Sequence, residues 1–328
     1  MRWARFFFVI LLMGGLSAGG AYLWFQRVIE RPGPSQAAVT VIIAPGSGLS
    51  AIASQLAEAG VTVAPWITVL QARRTGQDRS LKPGEYLFDP GMSVTAVLDK
   101  LVRHDVVARF VTIPEGLVTA EIMAILGAAE GLLGAVTAPI ANGDLLPETY
   151  RYEWGDKRDD LVARMRSARA AALNELWAAR AEGLPLNGPE EAIALASIVE
   201  KETGKNAERA RVAAVFINRL RRGMKLQSDP TVVYGLDRSG ETITYADLER
   251  PTPFNTYVIP ALPPSPICHP GRAALAAVLN PAVSQELYFV ADGTGGHAFA
   301  ETLDGHNRNV ARWRQIQRAN GTPNSGAK

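Results

Sequence analysis

The first pattern along the chain is an apolar run near the N-terminus. Residues Phe6 to Phe25 carry no charge, and two arginines precede them. As a helix rising about 1.5 Å per residue, this run spans roughly 30 Å, the thickness of a bilayer core. The pattern therefore predicts a cytoplasmic tip at residues 1–5 and a transmembrane helix at residues 6–26. A cleaved signal peptide is the alternative, with Ser17-Ala18-Gly19 as its cleavage site.

Short elements follow a polar linker predicted at residues 27–38. Their patterns predict a strand, two short helices, a second strand and a third helix within residues 39–105. This arrangement resembles the LysM-like module, which binds bacterial wall glycan, and a small spacer without a ligand is the alternative. The predicted elements are 39–44, 49–59, the stretch after Pro65, 85–88 and 93–103.

Residues 106–318 are predicted to form a second, larger domain. Apolar positions recur at helical spacing in most of its segments, and a hairpin pattern lies near its end. Seven prolines between Pro251 and Pro270 exclude a helix or a central strand there. The chain is therefore predicted to be α+β, with a polar tail at residues 319–328. Predicted strands lie at 106–113, 287–291 and 297–302, and predicted helices at a stretch ending near Leu126, 161–181, 190–203, 208–222 and 272–279.

The helix predicted at Glu190–Thr203 is the most informative of these segments. Its apolar residues form a stripe flanked by further apolar side chains, so the helix is predicted to be buried. Glu200 and Glu202 lie on the two edges of this stripe. A carboxylate on a buried helix is costly unless it is paired, protonated or used in chemistry. Each glutamate is therefore either a salt-bridged group or a general acid, and the helical geometry does not choose between them.

Composition narrows the classes of function. The chain has 328 residues, is 47% hydrophobic and 20% charged, and carries a net charge of +2. This balance gives no reason to expect nucleic acid as a partner. The single cysteine, Cys268, excludes an internal disulfide and a cysteine-rich metal site. The spacings typical of a zinc site, a phosphate-binding loop or a serine hydrolase do not occur, so no metal or cofactor is expected.

Polar side chains cluster in three segments that follow this helix. Amide, hydroxyl and aromatic groups on loops are what a sugar-binding cleft needs. Each cluster taken alone is more often a matter of turn chemistry. The clusters are Gln227-Ser228-Asp229, Asn255-Thr256-Tyr257 and Gly295-Gly296-His297.

Several sequence blocks, taken in order, carry a family resemblance. Together they resemble the endolytic murein transglycosylase family, the MltG or YceG-like group. A TIPEG turn at Thr112–Gly116 and a PETY block at Pro147–Tyr150 agree with it, although Leu145-Leu146 stand where the family usually has an aromatic residue. The main blocks are LASIVEKET (195–203), VFINRL (215–220), LQSDPTVVYG (226–235), NTYV (255–258), LPPSP (262–266) and YFVADGTGGH (288–297).

The resemblance implies cleavage of the β-1,4 bond between N-acetylmuramic acid and N-acetylglucosamine within glycan strands, leaving a 1,6-anhydro end. It places catalysis on Glu200, the first glutamate of the EKET block, as general acid and then base. One carboxylate suffices because the C6 hydroxyl of the sugar attacks, whereas ordinary glycosidases use two. The expected substrate-binding residues are Gln227, Asp229, Asn255 and Tyr257.

The resemblance also implies partners and a location. Peptidoglycan strands and the membrane are the expected partners, with wall synthases as further candidates. Because a large domain follows a single anchor, the body is expected on the periplasmic side of the inner membrane. His297 is a further site candidate. Two other functions remain open: a glycan-binding scaffold that does not cut, and a muramidase that uses water.

Overall fold

The chain folds into two compact units, which we call unit 1 and unit 2. The computed structural model describes residues 2–237 and 243–319. Helices dominate both units and the strands pair in twos, so the α+β prediction is confirmed. Unit 1 contains residues 1–110, 130–133 and 151–157, and unit 2 contains residues 111–129, 134–150 and 158–328.

Unit 1 begins with a long apolar helix and continues into a small α/β module. Its two strands pair antiparallel, with Val39 opposite Phe88 and Ile43 opposite Gly84. The apolar helix is α1 (Arg2–Glu30). The module has the five elements that the sequence predicts, in the predicted order: β1 (Val39–Ile43), α2 (Leu49–Glu58), α3 (Pro65–Arg74), β2 (Gly84–Phe88) and α4 (Val94–Arg103).

The core of the module comes from alternate strand positions and from one face of each helix. Tyr86 and Phe88 of β2 are fully buried and their rings stack at 6.0 Å. Leu56 of α2 and Leu101 of α4 pack against them in one cluster. Ser93 caps α4 by accepting a hydrogen bond from the Ala96 amide. The apolar residues at alternate strand positions and those at helical spacing in α2 and α4 therefore pack in the same cluster.

α1 is longer than the transmembrane segment that the sequence predicts. Residues 27–30, which the sequence assigns to a linker, are its last turn. Val28 and Ile29 are buried there, in a cluster with Ile67 of α3 and Leu98 of α4. The connecting segment without regular structure therefore begins only after Glu30.

A second two-stranded sheet joins β3 (Arg109–Thr112) and β4 (Thr149–Tyr152). The remaining elements, all in unit 2, surround one central helix. They are α5 (Thr119–Ala128), α6 (Arg158–Ala178), α7 (Pro189–Glu202), α8 (Asn206–Arg221), α9 (Asp229–Gly235), α10 (Tyr245–Glu249), α11 (Arg272–Leu279), β5 (Tyr288–Ala291), β6 (His297–Ala300) and α12 (Leu303–Ala319).

α7 is the centre of unit 2. Every residue from Ala192 to Val199 is buried, as the apolar pattern of the helix predicts. α8 and α11 pack on it and share its hydrophobic cluster, which includes Phe216 and Val278. β5 and β6 form the predicted hairpin, with Tyr288 opposite Ala300.

Four elements of the chain were not predicted from its sequence. β4, α9 and α10 are short, so they offer too few positions for a period to be recognised. α9 begins within the Gln227-Ser228-Asp229 cluster, for which turn chemistry is the alternative, and Pro230 suits the first turn of a helix. The fourth, α12, buries few of its residues. Most of the predicted polar tail, residues 320–328, lies outside the described residues.

Candidate active site

The end of α7 carries the two glutamates in different surroundings. Gly188 is the N-cap and Pro189 starts the helix, which ends at Glu202 with Thr203 as its C-cap. Lys201 faces outward, and its ammonium group donates to the Gly116 carbonyl at 3.3 Å. Glu200 and Glu202, on either side of Lys201, lie about 200° apart around the helix axis, so their carboxylates have different neighbours.

Glu200 is held by two hydrogen bonds inside unit 2. Its side chain is 5% exposed, and its Oε1 accepts from Arg209 Nη2 at 3.0 Å. Its Oε2 accepts from the Gly271 amide at 2.8 Å. Burial raises the pKa of the Glu200 carboxyl, and the nearby Glu115 carboxylate adds to the rise, whereas the hydrogen bonds from Gly271 and Arg209 oppose it. Both carboxylate oxygens are thus engaged by donors of the protein itself.

The TIPEG turn packs against the ion pair of Glu200 and Arg209. Glu115 Oε2 lies 3.6 Å from Arg209 Nη2, so one guanidinium faces two carboxylates. The Gly116 amide donates to the His269 carbonyl at 2.9 Å, and the His269 amide donates to the Leu117 carbonyl at 2.9 Å. These contacts join the turn to the segment before α11. The block that the resemblance singled out therefore supports the end of α7.

Glu202 faces a cavity of about 310 Å³ in unit 2. Its Oε1 accepts a hydrogen bond from the Ser228 hydroxyl at 2.5 Å. Ser228 is itself buried, and its amide donates to Thr256 Oγ1 at 2.9 Å. The cavity is lined by Glu202, Arg219, Leu226, Gln227, Asp229, Tyr257, Tyr288, Phe289, Val290, Ala291, His297, Leu303 and His306.

Three of the four predicted substrate-binding residues meet at this cavity. Gln227 is exposed and has a backbone φ of 52°, a left-handed conformation that is strained for a residue other than glycine. The Tyr257 hydroxyl donates to Asp229 Oδ1 at 2.6 Å, which fixes both groups at the cavity wall. The structure thus brings Gln227, Asp229 and Tyr257 together with Glu202.

The fourth predicted residue, Asn255, lies in the protein interior. It is 1% exposed and does not line the cavity. Its amide nitrogen donates to three backbone carbonyls between Asp247 and Arg250, and its Oδ1 accepts from the Tyr257 amide at 2.9 Å. Asn255 therefore orders the loop that presents Tyr257, as the alternative of turn chemistry predicts.

His297 lines the cavity and fixes the hairpin to α8. Its Nδ1 lies 2.8 Å from Glu208 Oε2, and its amide donates to Glu208 Oε1 at 3.2 Å. Lys205 donates to the Thr294 carbonyl at 3.2 Å. A side chain at Gly296 would displace the Glu208 carboxylate from its present position.

Three further cavity residues were not predicted as site residues. Arg219 is 8% exposed and donates to the carbonyls of Leu287 and Leu226 at 2.7 and 2.6 Å. Burial lowers the pKa of the Arg219 guanidinium, and the charge of Glu202 opposes that shift. The His306 ring stacks on Tyr288 at 5.2 Å. Arg219 and Tyr288 belong to the VFINRL and YFVADGTGGH blocks, but only the tertiary structure brings them to one cavity with His306.

A second cavity, of about 430 Å³, lies on the other side of Asp229. Asp229 lines both cavities, so the two share a wall at the start of α9. Glu200 lines neither of them. The second cavity is lined by Val118, Glu121, Lys201, Asp229, Pro230, Val233, Tyr234 and Ile267.

The fold and the first cavity define a class of site. An α+β unit presents a helix-borne carboxylate beside amide, phenol and aromatic side chains, which suits acid–base chemistry on a polar ligand such as a sugar. A model of the YceG-like family matches residues 41–312, so the chain belongs to the YceG-like family. The family that the sequence blocks indicate is thereby confirmed.

Curated relatives and one solved structure agree with this assignment. An endolytic murein transglycosylase of Bacillus subtilis is 27% identical over 325 residues, which cover 89% of this chain and 90% of the relative. An endolytic murein transglycosylase of Streptococcus pneumoniae D39 is 30% identical, and the match covers 92% of this chain and 64% of that relative. The crystal structure of a YceG-like protein from Listeria monocytogenes has a TM-score of 0.51 and 28% identity, covering 84% of this chain and 99% of its own.

Proposed function

We propose that the chain is an endolytic lytic transglycosylase that cuts peptidoglycan glycan strands at the β-1,4 bond between N-acetylmuramic acid and N-acetylglucosamine. The observation that carries this proposal is the first cavity, where Glu202 lies with Gln227, Asp229 and Tyr257. Membership of the YceG-like family and the names of the curated relatives support the same reaction.

The reaction needs one group that first gives and then takes a proton. The acid protonates the oxygen that leaves C1 of N-acetylmuramic acid, and the C1–O bond to N-acetylglucosamine breaks. The C6 hydroxyl of the same sugar then bonds to C1, and its proton goes to the carboxylate. No water is consumed, the catalyst regains its proton, and the product carries a 1,6-anhydro end.

The two glutamates of α7 are not equally placed for this role. The family resemblance points to Glu200, and that assignment stays a prediction. The geometry favours Glu202, because it lines the cavity and Ser228 holds one of its oxygens. Glu200 is engaged by Arg209 and Gly271 away from both cavities, which favours a role in positioning the end of α7.

The test is a pair of variants on the same helix, Glu202→Gln and Glu200→Gln. We expect Glu202→Gln to lower the yield of anhydro-ended products by about 10²- to 10⁴-fold, the usual worth of a general acid–base group. The matched control is Glu190→Gln, an exposed carboxylate at the start of α7. If Glu200→Gln abolishes the products while Glu202→Gln retains them, Glu200 is the proton donor and the geometric choice is wrong.

A muramidase that uses water is a second candidate, because Asp229 places another carboxylate in the cavity of Glu202. Mass spectrometry of digested glycan strands separates the two reactions. Transglycosylation gives anhydro ends, whereas hydrolysis gives reducing ends that are heavier by one water. A scaffold that only binds glycan releases no new ends.

We also propose how the enzyme is placed in the cell. α1 is long and apolar enough to cross a membrane once, which supports a single-pass anchor with the body on the periplasmic side of the inner membrane. The LysM-like interpretation of the module in unit 1 is kept as part of this proposal. A glycan pull-down with the full chain carrying Glu202→Gln, in which we expect unit 2 to be inactive, tests whether the protein still binds glycan strands.

A further inference from the structure

The last turn of α1 and the module of unit 1 share one hydrophobic core. Phe25, Val28 and Ile29 of α1 are 8%, 9% and 1% exposed. They pack in one cluster with Ile67 of α3 and Leu98 of α4. The helix that is proposed to cross the membrane therefore enters the module directly, and the module lies beside the end of the span.

Ring contacts fix how close α3 is to that end. The indole rings of Trp24 in α1 and Trp66 in α3 stack with centroids 6.2 Å apart and planes 14° from parallel. The Arg74 guanidinium lies 6.0 Å from the Tyr22 ring and 5.6 Å from the Phe25 ring. Tyr22 and Trp24 belong to the last turns of the apolar run, where amphipathic rings favour the membrane interface. α3 is thus at the depth of that interface.

The outer face of α3 has the composition of an interfacial helix. Trp66 is 54% exposed and Leu70 is 47% exposed, one turn apart on the same side. Val69 extends this face, and Arg73 follows one turn after Leu70. Together with Ser50 and Ser54 of α2, these residues line a shallow groove of about 370 Å³. Large apolar side chains beside an arginine are typical of helices that lie in the headgroup layer.

We propose that this face of α3, formed by Trp66, Val69, Leu70 and Arg73, binds the phospholipid headgroup layer of the bilayer that α1 spans. The proposal rests on the membrane anchor proposed above. The apolar side chains of this α3 face insert at the boundary of headgroups and acyl chains, and Arg73 pairs with lipid phosphate. The module is thus held against the membrane surface at two places, by α1 and by α3.

The experiment places a polarity-sensitive fluorophore on the full-length chain in nanodiscs of phosphatidylethanolamine and phosphatidylglycerol. The labelled variant is Leu70→Cys. The matched control is Leu87→Cys, since Leu87 is 43% exposed on β2, a strand of the other core cluster of unit 1. The native Cys268 is fully buried and burial raises the pKa of its thiol to about 12, so it stays unlabelled.

We expect blue-shifted emission at position 70, quenched by lipids that carry a spin label near the headgroup, and water-like emission at position 87. An added Arg73→Glu change should reduce the quenching at position 70 in the anionic bilayer. Equal, water-like emission at both positions in a chain that floats with lipid vesicles overturns this proposal alone. A chain that fails to float overturns the anchor as well. A shift at position 70 that depends on protein concentration in detergent overturns it in favour of contact with a second copy.

Discussion

Arg209 shows how a charged residue can be structural in an active-site region. It is 5% exposed and its guanidinium faces Glu200 at 3.0 Å and Glu115 at 3.6 Å. Its Nε is buried without a hydrogen-bond partner among the described residues. Of the two carboxylates, Glu115 is 41% exposed and Glu200 only 5%, so the arginine is what makes the burial of the Glu200 charge tolerable.

We therefore expect Arg209→Met to destabilise the fold strongly. Removing one partner of a buried ion pair leaves an uncompensated charge and costs about 3–5 kcal/mol. Denaturant unfolding of the full chain measures the change. The control is Arg272→Met, which removes an exposed pair with Glu175 and should change stability little. Equal losses from both variants would show that the burial of Arg209 contributes nothing.

The protonation of His269 is linked to the stability of the fold. Burial lowers its pKa to about 4, and both ring nitrogens have hydrogen-bond partners. Its Nδ1 accepts from the Leu145 amide at 3.2 Å, so its proton is on Nε2, which lies 3.0 Å from Thr119 Oγ1. Thr119 in turn donates to Asn142 Oδ1 at 2.9 Å.

This shift predicts acid lability. In the unfolded chain His269 takes a proton near its ordinary pKa of 6.5, whereas the folded chain resists it down to about 4. Its contribution is therefore complete above pH 6.5 and is lost as pH falls toward 4, by about 3 kcal/mol. Unfolding curves between pH 7.5 and pH 4.5 measure this slope. His269→Gln should flatten it, and an unchanged slope would assign the lability to other groups, such as His306.

At the scale of elements, the loop that contains Gly143 packs closely against α7. Gly143 has a φ of 86°, and a side chain there would lie 2.6 Å from Pro266 and 2.9 Å from Ile193. Gly134 has a similar φ of 72° but no atom within 4 Å of the same position. The two glycines separate the cost of backbone conformation from the cost of crowding.

We expect Gly143→Ala to destabilise unit 2 by about 2–5 kcal/mol. Roughly 1–2 kcal/mol comes from the left-handed conformation and the rest from overpacking against rigid neighbours. Gly134→Ala should show only the first part. Thermal or denaturant unfolding of the two variants gives the difference directly. Similar losses would mean that the loop moves away from α7 without cost.

The sequence predicts the elements well where the apolar pattern is long. α7 is buried from Ala192 to Val199, as its near-continuous apolar surface indicates, and the hairpin of β5 and β6 forms around its glycine-rich turn. The short elements α9 and α10 give no period that could be read. For α1, the sequence predicts the apolar run but not the burial of Val28 and Ile29, because the residues that cover them come from α3 and α4 of the folded module.

The candidate site could be predicted only in part for a related reason. Helical spacing separates Glu200 from Glu202, but which side holds the cavity depends on loops that pack from distant parts of the chain. Gln227 and Tyr257 were predicted from their polar clusters, and both line the first cavity. Asn255 belongs to the same cluster as Tyr257, but its side-chain amide donates to backbone carbonyls instead of facing the cavity. Residue type predicts what a side chain is able to do, and tertiary structure decides what it contacts.

At the scale of the whole molecule, the last turn of α1 is part of the core of the module. A truncated chain that begins at Trp24 keeps Phe25, Val28 and Ile29, whereas one that begins at Arg31 loses them. Each buried apolar side chain is worth about 1.5–3 kcal/mol. We therefore expect the shorter chain to have a destabilised module.

Hydrogen exchange of the amides in β1, β2 and α4 measures this effect in both truncated chains. Faster exchange is expected in the chain that begins at Arg31, and unit 2 should show no difference. Equal protection of the module in the two chains would mean that the cluster of α1 with α3 and α4 adds nothing to its stability.

The shared core of α1 and the module has a mechanical consequence. A flexible linker would let a helix rotate independently of the domain that follows it. Here Ile29 and its neighbours pack α1 directly against the module, so the two move together. A thicker or thinner bilayer makes a spanning helix lean. With the membrane anchor proposed above, any such tilt of α1 rotates the module through the same angle, so lipid composition would set the orientation of the module.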